Sequence, residues 1–195
     1  MRVTETVRQK ALIRNLILAT GIFFASLVVG TLIGQNLVEG LLSELGAVLG
    51  PLASTGNLSF LLLLIIFINN AIKALGIIFL GILLGLPPIL FIGLNGFILG
   101  GLGSALEAVN GWEYAVASFV PHGVIEIPVI LLATALGLTV GVESVRWLVR
   151  KESRVRLQLS YGLKVYVRWI LPGLAVAAII EVFVTPLVIG LVSTG

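Results

Sequence analysis

LSFLLLLIIFINNAIKALGIIFLGILLGL, residues 58–86, decides the fold class. It carries a single charge, Lys73, in a stretch otherwise built from leucine, isoleucine, phenylalanine and small residues. A helix crosses a hydrocarbon core of ~30 Å with about 20 mostly apolar residues at ~1.5 Å rise each. Residues 58–86 exceed that length, so the span has room to tilt or break. Pro87-Pro88 predicts a sharp end to it, because proline lacks the amide donor and disfavours a helical residue before it.

Four more stretches meet the same requirement: residues 14–34, 88–106, 117–142 and 168–192. The expectation is an all-α fold, a polytopic transmembrane helix bundle of about five spans forming one transmembrane domain over residues 1–195. Composition agrees, since 58% hydrophobic content and a mean hydropathy of +1.17 are too apolar for an ordinary soluble domain. The first apolar run is longer than the core of a secretory signal and lacks a clear small-residue cleavage site, so it reads as a retained span.

All nine acidic residues are glutamate, against 12 Lys and Arg, and all of the bases but Lys73 fall in two blocks. One holds Arg2, Arg8, Lys10 and Arg14; the other holds Arg146, Arg150, Lys151, Arg154, Arg156, Lys164 and Arg168. A surface facing anionic lipid headgroups explains both blocks more simply than a nucleic-acid groove. No nucleic-acid partner is therefore expected. The absence of cysteine excludes disulfides, thiolate zinc sites, iron–sulfur clusters and cysteine nucleophiles.

Orientation offers a consistency test, because alternate connections must share a side. With five spans, the basic amino-terminal segment, the uncharged Pro87-Pro88 turn and a basic loop over 143–167 all fall on one side. The 35–57 connection, with Glu39 and Glu44, and the 107–116 connection, with Glu107 and Glu113, fall on the other. By the positive-inside rule the amino terminus is cytoplasmic and the carboxyl terminus outside, as expected for a multi-pass protein of the cell membrane.

Within 35–57, Leu37, Leu41, Leu45, Val48 and Leu52 recur at helical spacing, which predicts an amphipathic helix on the outer surface. Trp147, Tyr161, Tyr166 and Trp169 are placed to sit at headgroup level on the inner side. Glycines four apart, Gly30/Gly34, Gly81/Gly85, Gly96/Gly100 and Gly137/Gly141, permit close helix approach. Their simplest use is packing inside the bundle, with dimerisation as the other use. No sequence repeat marks two transporter halves.

Polar residues inside the spans invite the functional question. Lys73, Glu126 and Glu181 fall there with Asn69, Asn70 and Asn95. An ionisable group costs roughly 2.5–3.5 kcal/mol at a helix centre on insertion scales, so such groups face the bundle interior or a wet cavity. At ~1.5 Å per residue, Asn69 and Asn70 lie ~16–18 Å from the outer end of the second span. Glu126 lies ~14 Å from that of the fourth, and Glu181 ~16 Å from that of the last. Polar groups of three spans thus share one level, and Lys73, a turn from Asn69, is placed as a counter-charge for Glu126 or Glu181.

His122, the only histidine, shares a helix face with Glu126 within PHGVIEIP, residues 121–128. Pro121 and Pro128 bracket the pair and suggest a helix start, broken or re-entrant. Four uses of the cluster are open. His122, Glu126 and Glu181 have metal-ligand chemistry. Ser118, His122 and Glu126 have the residue types of a serine hydrolase, but residues stacked on one helix make poor triad geometry. Titratable groups in series suit an ion or proton pathway. The plainest use is a hydrogen-bonded, ion-paired network that fixes helix assembly, and it leads. Asn95-Gly96 reads as a kink whose amide satisfies freed backbone groups.

Asn69-Asn70, Gly81 with Gly85, Leu94-Asn95-Gly96 with Gly100, and Pro121-His122-Gly123 followed by Glu126 and Pro128 resemble the stage II sporulation protein M family of integral membrane proteins. The ordered set, PHG-x-x-E above all, carries the resemblance, which is strongest over residues 67–141. The resemblance implies a polytopic membrane fold and a scaffold or localising role in a membrane complex with cell-wall hydrolases; the family motif maps onto Pro121, His122, Gly123 and Glu126. Lys73 and Glu181 are added from depth, not from the family. The expected function is a membrane scaffold or assembly subunit without enzymatic activity or cofactor, its partners the lipid bilayer and either its own copies or other membrane proteins. A small transporter or channel with a titratable Glu/His site, and an intramembrane metal-dependent hydrolase, are the alternatives.

Overall fold

The computed structural model describes residues 2–34, 40, 58–150 and 154–193, and among them the chain is a bundle of five helices long and apolar enough to cross a membrane. They are α1 (Arg2–Ile33), α2 (Leu58–Leu80), α3 (Leu86–Asn110), α4 (Trp112–Arg150) and α5 (Val155–Ser193). The amphipathic segment expected over 35–57 lies outside the described residues apart from Gly40.

Each boundary has a local cause. α2 ends at Leu80, and a turn over Gly81–Gly85 follows in which Leu84 and Gly85 adopt φ of 58° and 78°. The left-handed conformation stops the helix, as it does at many helix ends. Pro87-Pro88 therefore opens α3 instead of closing α2, in the first turn where a missing N–H costs nothing. α4 runs unbroken through Pro121 and Pro128, so the expected broken or re-entrant start is replaced by a continuous helix. The 143–167 stretch expected as a loop is helical on both sides: α4 continues to Arg150, and α5 begins at Val155. α5 contains two wider π-helical stretches, Tyr166–Ile170 and Ile180–Val184, placed just before Pro172 and Pro186. Widening a turn relieves the clash of the proline ring with the carbonyl one turn earlier.

Packing divides into two halves that share α4. One core joins α1, α3 and α4 through Ala19, Phe23, Ile92, Leu131 and Leu138. The other joins α2, α4 and α5 through Ala71, Ala74, Ile78, Ala133, Leu136, Tyr166, Ile170 and Leu174. α4 is accordingly 56% buried over its apolar window, against 17–28% for the other four helices. Outward faces are apolar as well, apart from Asn69 and Lys73 on α2: Ile17, Leu32, Phe60, Ile72 and Leu187 are all exposed, the surface a hydrocarbon solvent demands.

Glycine sets the closest approaches. A Cβ on Gly30 would run into the Phe97 carbonyl, and one on Gly100 into that of Leu27, so α1 and α3 meet backbone to backbone. Gly81 presses on Gly137 and Gly141 on Gly85, joining α2 to α4 in the same manner. In both pairs the residue numbers rise together, so the paired helices are parallel. Parallel pairing of the first with the third, and of the second with the fourth, is what alternating spans require. All four glycine pairs are consumed within the chain, which is the packing use expected of them.

Bases gather at one end of the bundle axis, with Glu143 among them, and the other end carries only acids. Arg14, Arg146, Arg150, Arg154 and Arg156 mark one end, where the Arg8 guanidinium lies 4.0 Å from the Tyr161 ring centroid; Glu107 and Glu113 mark the other. Trp147 and Trp169 are exposed, consistent with an interfacial position. Tyr166 is not interfacial: it is 7% exposed and donates its hydroxyl to the Ala71 carbonyl on α2 at 3.0 Å.

Candidate functional site

Midway along the bundle, α2, α4 and α5 bring polar side chains together. Asn70 Nδ2 donates to Glu126 Oε1 at 2.8 Å, linking α2 to α4. His122 Nδ1 lies 3.5 Å from the Thr185 hydroxyl, linking α4 to α5, and that hydroxyl also lies 3.3 Å from the Ile180 carbonyl. His122, Glu126 and Glu181 each present a ligand-type atom, all within 4.8 Å of one another and half-buried.

Sequence spacing explains the convergence. His122 and Glu126 are one turn apart on α4 and so share a face. Glu181 sits in the second π-helical stretch of α5, which changes the phase of the helix just where the carboxylate must face α4. Thr185 follows one turn later and is buried, unlike its exposed neighbours Val184 and Pro186.

Not every candidate joins. Asn69 and Lys73 are exposed on α2, whereas Asn70 is only partly exposed and reaches Glu126. Among the described residues the one ion pair within 4.0 Å is Arg146–Glu143, so Lys73 forms no direct bridge to Glu126 or Glu181. Asn95 donates its amide to the Phe91 carbonyl at 2.8 Å, within an α3 that is helical from Leu86 to Asn110. Ser118 donates to the Tyr114 carbonyl at 2.8 Å, so its hydroxyl is turned to its own helix and not to His122.

A cavity of about 110 Å³ adjoins the cluster, lined by Asn95, His122, Glu126, Phe23 and Phe119 among others. Through Leu99, Phe119, Gly123 and Ile127 it borders a larger, mostly apolar groove of about 550 Å³ between α1, α3 and α4. Thr31, Ser104 and Glu107 lie in that groove towards the acidic end of the bundle.

Residues 13–186 match the family model described as stage II sporulation protein M. This chain belongs to that family. The match reaches all five helices and includes every member of the polar cluster, so the cluster lies within the family domain. Comparison with curated proteins and with solved structures gave no match.

Two polar ties were not foreseen from the family motif or from depth. Thr185 was hidden by its neighbours, since one threonine in an apolar span is unremarkable and its link to His122 spans 63 positions. Asn15 is 3% exposed and donates to Thr139 Oγ1 at 3.0 Å, joining α1 to α4 nearer the basic end. An asparagine inside the first apolar stretch was the available signal for it.

Proposed function

We propose that this member of the stage II sporulation protein M family is an integral assembly subunit of a membrane complex, a scaffold without enzymatic activity. The observation that carries this reading is the use made of mid-span polarity. Asn70–Glu126 and His122–Thr185 tie the central helix to α2 and α5, and Asn15–Thr139 ties it to α1. Polar groups spent on helix-to-helix bonds fix one arrangement of spans, which is what a platform for partners needs. Ser118, turned to its own helix, offers no nucleophile to His122.

In this reading the protein lies in the cell membrane with its basic end cytoplasmic, the amino terminus inside and the carboxyl terminus outside. The glycine faces are occupied within the chain, so association with its own copies or with other membrane proteins falls to the exposed apolar faces, such as Ile17, Phe24, Val28 and Leu32 of α1. Crosslinking in native membranes followed by extraction in mild detergent tests the idea. A stable homomeric or mixed complex is expected; a chain that stays monomeric and alone in every mild detergent overturns it.

One observation favours a second reading, a small transporter or channel. The cavity beside Asn95, His122 and Glu126 places titratable groups next to open volume at mid-span, where relays and ion sites are built. Proton or cation flux in proteoliposomes that falls in Glu126→Gln supports it, and flux unchanged by that substitution removes it.

A further inference from the structure

We infer that His122, Glu126 and Glu181 form a membrane-embedded site for a divalent transition-metal ion that clamps α4 to α5. The inference is independent of the scaffold reading, because metal binding is measured on the isolated chain and needs no partner.

The donor set comes first. One imidazole and two carboxylates suit zinc and its first-row neighbours, with calcium and magnesium preferring all-oxygen sets. Ligands at about 2.0–2.2 Å from a tetrahedral metal are roughly 3.4 Å apart. One donor atom from each residue already lies within 4.8 Å of those of the other two, so the gap to be closed is small. Three protein ligands leave a fourth position, and the adjoining cavity of about 110 Å³ exceeds the roughly 10–15 Å³ that one water needs.

Outer-shell partners are also in place. Ligating histidines ordinarily hold their second nitrogen in a hydrogen bond, and ligating carboxylates are themselves bonded. The Thr185 hydroxyl is at Nδ1 of His122 and can accept from it while donating to the Ile180 carbonyl, which leaves Nε2 as the free lone pair. Asn70 occupies Oε1 of Glu126, leaving Oε2. A metal provides what the protein does not: among the described residues neither Glu126 nor Glu181 has a cationic side chain within 4.0 Å. Two carboxylates facing each other at membrane depth are costly without such a charge.

The test uses the full chain purified with its affinity tag removed, since a polyhistidine tag binds the same metals. Zn²⁺ is added after chelator treatment, and bound metal is measured by mass spectrometry after desalting, alongside thermal unfolding. Expected are one Zn²⁺ per chain and a melting temperature raised by several degrees. His122→Gln and Glu181→Gln should each weaken binding at least tenfold and abolish the thermal shift, while Asn70→Ala weakens it about tenfold through Glu126. Co²⁺ added to the unmodified chain gives a readout that requires no variant to fold: d–d bands of a low-coordinate nitrogen and oxygen site are expected. A Co²⁺ spectrum identical to the hydrated ion, no retained zinc, or zinc retained equally by the His122 and Glu181 variants overturns the site.

Discussion

Asn70 on α2 donates to Glu126 on α4 across 2.8 Å, and the two residues stand 56 positions apart. The bond holds one oxygen of a carboxylate that the bundle would otherwise leave in an apolar setting. Asn70→Leu removes the donor and keeps the volume, so it should destabilise the protein by about 1 kcal/mol, within the range of interhelical bonds in lipid. Reversible unfolding in detergent micelles or bicelles checks this. No loss of stability would mean that the carboxylate finds its donor elsewhere.

The buried bond between Asn15 and Thr139 can be isolated by a double-mutant cycle. Asn15→Leu, Thr139→Val and the double variant should yield a coupling of about 0.6 kcal/mol, and at most about 1.7. Additive effects would show that the two side chains act separately.

Glycine contacts make a sharper contrast. Gly100→Ala puts a methyl group into the Leu27 carbonyl, and α1 and α3 must separate, at a cost of about 2 kcal/mol or more. Nothing lies within 4 Å of a Cβ at Gly76, so Gly76→Ala should be neutral or stabilising by up to about 1 kcal/mol, from helix propensity alone. Melting temperatures of the two variants, measured side by side, should move in opposite directions or differ widely.

Because the chain has no cysteine, orientation can be measured with single introduced thiols. In intact cells a membrane-impermeant maleimide should label Glu113→Cys and leave Arg156→Cys untouched until the membrane is opened. The reverse pattern would invert the positive-inside assignment.

Much of this architecture is legible in the sequence, for a reason particular to lipid: the solvent imposes helix length, so apolar stretches announce spans directly. Depth arithmetic likewise put Glu126 and Glu181 at one level, and their side chains meet. The misses share a cause. Proline was read as a helix breaker at Pro87, Pro121 and Pro128, but the backbone made room for it: a first turn at Pro87, and a continuous α4 around the other two. The two π-helical stretches of α5 lie just before Pro172 and Pro186, where the widened turns accommodate the rings without ending the helix. Rotation about the helix axis was equally hidden. Asn69 and Asn70 are neighbours in sequence, yet only Asn70 faces Glu126.

The parallel glycine contacts bear on how the protein is made. Helices emerge from the ribosome in order, yet the Gly30 surface of α1 docks on α3 and the Gly81 turn that ends α2 docks on α4. Neither of the first two spans can meet its mate until a further helix has been delivered. Between delivery of α2 and of α3 the nascent chain must therefore hold two half-finished pairs at once, in lipid or against the insertion machinery; translation of α3 completes the first and that of α4 the second.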